Sequence, residues 1–181
     1  MGETKSILDK FCIDFCKIVE KHTNYIIVSG FVAISSGRAR ATEDIDMILP
    51  RIGLDKFEEL HKDLAKKFIC IQSDDFKEIY NDYLKENLSV RYTHKNKSLP
   101  EMKIKLAKDE LDDYQLSTKT KVKLTGLGVW FSTIEMNIAF KEEYLKSPKD
   151  LEDARHLRIV YSEDINENEI NKIKKMIKKL R

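Results

Sequence analysis

No stretch of this 181-residue chain approaches the run of about 18 apolar residues that a membrane-spanning helix requires. The first ten residues, Met1 to Lys10, are charged and lack the apolar centre of a secretory signal. Cysteine is scarce and odd in number: Cys12, Cys16 and Cys70. Cys12 and Cys16 stand four apart and read as buried thiols of a helix in a reducing compartment. No second Cys or His pair has ligand spacing, and His22, His61, His94 and His156 are scattered, which speaks against a zinc site. Net charge is also small, +2 from 33 basic and 31 acidic residues, so the chain is no polyelectrolyte. A nucleic-acid surface would have to come from local clustering. Repeats, low-complexity tracts and linkers are missing as well. These absences point to a cytoplasmic protein with no membrane partner.

What is there is a strongly patterned chain. Ile7, Leu8, Phe11, Cys12, Phe15, Ile18 and Val19 repeat at helical spacing. The short apolar run Tyr25–Val28 reads as a strand, Gly30 follows it, and Phe31 to Ser36 reads as a short helix. Gly37 to Thr42 is a loop of small residues with two arginines. Asp44 to Leu49 is a second strand closed by Pro50. Leu54, Phe57, Leu60, Leu64 and Phe68 mark another amphipathic helix.

The middle is expected to be mostly β. Strands are expected near 68–71, 88–93, 102–106, 122–125 and 129–132, the later four antiparallel, with a helix at 74–84. Gly126 and Gly128 punctuate a turn, and Trp130 and Phe131 read as core. After Thr133 the pattern is helical. Ser147-Pro148-Lys149-Asp150 is a helix start with Ser as cap, Pro at the first position and an acid at the third. The last helix sets Ile170, Ile173, Ile177 and Leu180 against five lysines, a pattern that reads first as a solvated face. The class expected is α/β or α+β. Residues 1–133 would form a core and 134–181 a C-terminal helical part packed on it as one compact unit.

The chemistry concentrates between Val28 and Asp46. Side chains alternate along a strand, so Asp44 and Asp46 share one face, about 7 Å apart, while Ile45 faces away. Two carboxylates on one strand suit Mg²⁺ or Mn²⁺, hard cations that keep water and phosphate oxygens in their shells. Gly30 sits where a strand hands over to a helix, and without a Cβ it lets a phosphate approach the backbone. Arg38 adds a forked donor for the same phosphate. Each residue also has an ordinary reading: solvated acids at a strand start, a turn glycine, surface arginines.

Taken together, Ser29-Gly30-Phe31, Gly37-Arg38, Thr42 and Asp44-Ile45-Asp46 resemble the nucleotidyltransferase superfamily, and within it the AbiEii-like branch. That branch includes abortive-infection proteins and toxins paired with antitoxins. The resemblance is good over roughly residues 25–50. It extends more weakly to Lys141 and to Lys149-Asp150-Leu151-Glu152-Asp153. It implies a mixed β-sheet flanked by helices, and metal-dependent transfer of a nucleoside monophosphate from an NTP to RNA such as tRNA, to a protein or to a small molecule. Asp44 and Asp46 would hold the metal. Ser29, Gly30, Arg38, Thr42 and Lys105 would contact the nucleotide. Lys141 would neutralise phosphate charge, with Asp150 and Asp153 orienting it or the acceptor. An antitoxin would be a partner.

The chain departs from that pattern in two ways. Phe31 is bulky where relatives often have a small residue. A third carboxylate is expected on a later strand, but Met102–Leu106 offers lysines at its polar positions, with Glu101 only at its end. The resemblance therefore leaves an alternative open: a catalytically impaired nucleotide-binding or RNA- or protein-interaction module of the same fold. Asp150 has a structural reading too, because an acid in the first turn stabilises a helix on its own account.

Overall fold

The computed structural model describes residues 4–181; the first three residues of the charged Met1–Lys10 stretch lie outside the described residues. In chain order the elements are α1 (Ile7–Val19), β1 (Ile26–Val28), α2 (Gly30–Ser35), β2 (Asp44–Leu49), α3 (Leu54–Leu64), β3 (Phe68–Cys70), α4 (Phe76–Glu78), β4 (Val90–His94), β5 (Glu101–Leu106), α5 (Glu110–Ser117), α6 (Ile134–Phe140), α7 (Pro148–Val160) and α8 (Glu167–Leu180). The strands make a five-stranded mixed sheet in the order β1-β2-β5-β4-β3, and helices flank it, so the fold class is the one expected. The described residues divide into two compact units, 4–25 with 43–108, and 26–42 with 109–181. Among the described residues no helix is long and apolar enough to cross a membrane.

The first unit shows how sequence pattern becomes core. Ser6 caps α1, accepting a hydrogen bond from the Asp9 backbone while the Asp9 carboxylate accepts one from the Ser6 backbone. With its start fixed, α1 turns Phe11, Cys12, Phe15, Cys16 and Val19 inward, all buried. Phe15 meets Phe68 of β3 edge to face at 4.9 Å, and Phe11 meets the same ring at 5.7 Å. Burying each such ring stabilises the unit by about 1.5–3 kcal/mol. On α3, buried His61 hydrogen-bonds the hydroxyl of Tyr92 at 2.8 Å.

β5 pairs with β4 antiparallel and with β2 parallel, so only one of its two pairings is of the kind expected. The segment expected as one helix at 74–84 is α4 followed by a π turn, Ile79–Tyr83, and a 3₁₀ turn, Leu84–Glu86.

The second unit is mainly helical. α8 buries Ile170, Ile173 and Ile177, while Arg158 and Lys174 pair with Glu142. Arg181 closes on Asp109 and Asp112. Two expectations change here. Residues 122–125 and 129–132 are not strands: Lys123–Thr125 is a 3₁₀ turn, and only isolated bridges join Phe131 to Thr120 and to Ile27. Gly126 and Gly128, with φ of 66° and 67°, turn the chain too soon for a ladder to form. Phe131 is core as expected, but Trp130 is only half-buried. Helix α5 is the reverse case. Its buried face holds Leu111 with the polar Asp112 and Gln115, so the apolar periodicity that reveals a helix is missing.

Candidate functional site

In the first unit, the parallel register sets Asp44 beside Glu101, Asp46 beside Lys103 and Ile48 beside Lys105. Partners in register point to the same side of a sheet, so two carboxylates of β2 share a face with Glu101, Lys103 and Lys105 of β5. The opposite positions, Ile45, Met47, Met102 and Ile104, are buried. This apolar face anchors the strands and leaves the polar face for chemistry. On β4, Arg91 lies opposite Lys103 and brings its Nε to 3.3 Å from Glu101 Oε2. Lys103 Nζ stands 3.9 Å from Asp46 Oδ1.

Glu101 adds a carboxylate at the end of β5, in register with Asp44. Burial raises its pKa above the ordinary value, and a hydrogen bond to Asp44 and that residue's charge raise it further; Arg91 opposes them. Asp44 and Glu101, paired in register and close enough to interact, would supply oxygens to one divalent cation. Among the described residues no three His, Cys, Asp or Glu side chains form a ready-made metal cage. Magnesium needs none when one or two carboxylates are completed by water and substrate oxygens. The donor set therefore fits one such cation.

The second unit carries a buried cationic cluster. Ser29, between β1 and α2, has φ 69° and ψ −138°, a conformation that costs a non-glycine residue on the order of 1–3 kcal/mol. Its backbone N–H is anchored to Asn137 Oδ1 at 3.1 Å, and the Asn137 amide is itself held by Ser132 Oγ and the Thr133 carbonyl, both at 2.8 Å. Gly30 comes next, and the Arg40 guanidinium lies over it. A Cβ added to Gly30 would meet Arg40 Nη2 at 2.4 Å. Arg40 forks onto Asp153, with Nε donating at 2.9 Å and Nη2 at 2.8 Å. Lys141 donates to the same carboxylate at 3.0 Å and stands 3.5 Å from Asp150. Arg38 Nε lies 3.3 Å from Asp153 Oδ1.

The Asp153 side chain is fully buried and that of Lys141 is 1% exposed. Burial alone would raise the Asp153 pKa, but Arg40 and Lys141 outweigh it and hold the group below the ordinary carboxylate value. Three cations thus face two carboxylates, an arrangement with positive charge to spare for an anion. Asp150 also lies in the first turn of α7, where its backbone N–H donates to the Ser147 cap. At the end of α2, His156 Nε2 donates to the Ser36 carbonyl at 2.9 Å.

The residues singled out from the sequence therefore fall into two groups. Asp44, Asp46 and Lys105 share one face of the first unit. Ser29, Gly30, Arg38, Lys141, Asp150 and Asp153 belong to the second, as does Thr42, half-buried at the end of the loop that carries Arg38 and Arg40. Sequence reasoning undervalued Glu101, because a parallel register cannot be read from one strand. It undervalued Arg40, because nothing local shows that Asp153 is its partner. Arg91 and Asn137 gave no signal at all.

No family model matches the chain, and no curated protein matches it. Solved structures do. The antibiotic-resistance factor ANT(2'')-Ia, known from a solution structure, superposes with a TM-score of 0.54 over 94% of this chain and 93% of its own, at 13% identity. An antigenic nucleotidyltransferase-like protein from Paracoccidioides brasiliensis gives 0.56 over 96% and 88%, at 15% identity. At these identities the likeness is one of fold: the chain has a nucleotidyltransferase-like fold.

Proposed function

We propose that the protein is a nucleotidyltransferase that moves a nucleoside monophosphate from an NTP to an acceptor hydroxyl. The observation that carries this reading is the Asp44–Glu101 carboxyl pair on the same sheet face as Asp46. Asp44 and Asp46 would hold Mg²⁺ or Mn²⁺. Such an ion, when bound, supplies charge to the phosphates and alignment to the attack. The rest falls to the chain's own residues. The acceptor oxygen forms a bond to the α-phosphorus, the bond to pyrophosphate breaks, and the acceptor proton passes to the carboxylate of Glu101. Lys103 and Lys105 offer ammonium groups to phosphate oxygens.

In the second unit, Ser29 and Gly30 would form the turn under the Arg40 guanidinium, and Arg38 would supply donors for an anion. Arg40 and Lys141, both tied to Asp153, stiffen that turn and balance charge; in this arrangement Lys141 positions rather than touches. The run Gly37-Arg38-x-x-x-Thr42-x-Asp44-Ile45-Asp46 supports the AbiEii-like branch and, with it, an antitoxin partner. The test is transfer of label from α-labelled NTPs with Mg²⁺ or Mn²⁺ to RNA, protein and small hydroxyl compounds. Label should be transferred by the wild type and not by Asp46→Asn; no transfer with any nucleotide would remove the reading.

A second reading has its own observation. Lys103 Nζ at 3.9 Å from Asp46 places a fixed cation near the carboxylate that a metal would need. That favours a nucleotide-binding module without turnover, in which the ammonium stands in for part of the metal's charge. Metal-independent NTP binding that survives Asp46→Asn would support it.

A further inference from the structure

From Ser117 to Thr133 the chain has three lysines, Lys119, Lys121 and Lys123, and no acidic residue; it also holds the protein's one tryptophan, Trp130. The fold turns this composition into a surface. Thr120 and Phe131 form an antiparallel bridge, exchanging backbone hydrogen bonds at 2.9 and 2.8 Å. Neighbours of a bridged pair point to the opposite side. Phe131 goes into the core, so Trp130 faces outward, with Lys121 directly across from it. Lys119 Nζ lies 4.4 Å and Lys121 Nζ 4.9 Å from the centre of the indole ring. Lys123 is exposed, and Leu124 beside it is 60% exposed.

We infer that this surface binds a single-stranded nucleic acid, with a base on the indole and adjacent phosphates on Lys119, Lys121 and Lys123. A flat aromatic ring with ammonium groups at its face offers both interactions that a single strand presents, stacking and backbone charge. An acidic protein segment would use the lysines but has no need of the ring. Each lysine side chain is long and flexible, so an incoming base exchanges one cation–π contact for stacking while the ammonium moves to a phosphate. The surface does not depend on the transferase reading, although an RNA acceptor would unite the two.

Because Trp130 is the sole tryptophan, its fluorescence reports on this surface alone. The experiment titrates the full chain with twelve-nucleotide oligouridine RNA, oligothymidine DNA, a duplex of the same length and polyglutamate. Quenching by either single strand, weaker with duplex and absent with polyglutamate, is expected; the RNA and DNA arms tell which strand is preferred. With three lysines engaged, log affinity should fall with log salt at a slope of about −2, roughly 0.7 per phosphate.

Variants are followed by anisotropy of a labelled oligonucleotide. Trp130→Ala should weaken binding about tenfold, and Trp130→Phe much less. The surface pair Lys121→Gln/Lys123→Gln, which leaves the core untouched, should flatten the salt slope to about −0.7. No quenching by either strand at low salt would overturn the inference. So would polyglutamate quenching as strong as that of RNA, which would instead identify an acidic protein partner. A strand that binds while no NTP is ever used leaves this surface standing and removes the transferase, so the two failures are distinguishable.

Discussion

At the scale of single residues, Asp153 and Glu101 make opposite uses of burial. Asp153 is held ionised by Arg40 and Lys141, with a pKa below the ordinary carboxylate value. Its contribution is therefore fully present above the ordinary carboxylate range and is lost as pH falls through the lowered folded-state value. Asp153→Asn leaves Arg40 without its carboxylate and Lys141 with Asp150 alone, and should cost about 3–5 kcal/mol in urea unfolding at neutral pH. It should also remove part of the protein's loss of stability in acid.

Glu101 has a raised pKa, so the folded chain holds its proton more tightly than the unfolded chain does. Its contribution is present below the ordinary carboxylate value and fades as pH rises through the raised value. Glu101→Gln should therefore leave thermal stability at pH 7 unchanged or higher while abolishing label transfer. A melting curve and a transfer assay on one preparation check both halves. A residue kept for stability would show the reverse pattern.

Gly30 is a third case. A methyl group there would meet Arg40 Nη2 at 2.4 Å, so Gly30→Ala must push Arg40 off Asp153. Weaker NTP binding than in the wild type is expected by calorimetry, by tenfold or more if an ion-paired contact worth about 1.4 kcal/mol or more is lost.

At the scale of elements, what could be read depended on whether one segment contained its own signal. α1 could be read end to end, since Ser6, Asp9 and the apolar stripe all lie within it. α7 announced itself by Ser147 and Pro148, and Ser147→Ala should cost about 1 kcal/mol of stability, measurable by denaturant unfolding. α5 could not be read, because Asp112 and Gln115 occupy its buried face. The strands expected around Gly126 failed because a period-2 pattern says nothing about whether a partner strand lies alongside.

The site followed the same rule. Asp44, Asp46, Gly30 and Arg38 stood out because they sit in one short run of sequence. Glu101 and Arg40 did not, because their meaning comes from partners 57 and 113 residues away in the chain, Asp44 and Asp153.

At the scale of the whole molecule, the fold and the chemistry carry different weights. Two solved structures with TM-scores of 0.54 and 0.56 establish the fold across nearly the full chain. Folds host unrelated functions, so the activity must be argued from the site. Each unit is assembled from separated segments and holds its own set of polar groups, carboxylates in the first and a cationic cluster in the second. A net charge of only +2 excludes binding by bulk electrostatics, which throws the burden onto such local clusters.

The central claim is that Asp44 and Asp46 hold a metal ion for an NTP. The most direct test is calorimetric titration of each of the four NTPs into the wild type and into Asp44→Asn/Asp46→Asn, with and without Mg²⁺. The account predicts that at least one NTP binds the wild type only when Mg²⁺ is present, and that the double variant, folded by its melting curve, loses that binding. Equal binding by the variant, or none by the wild type under any condition, would contradict it.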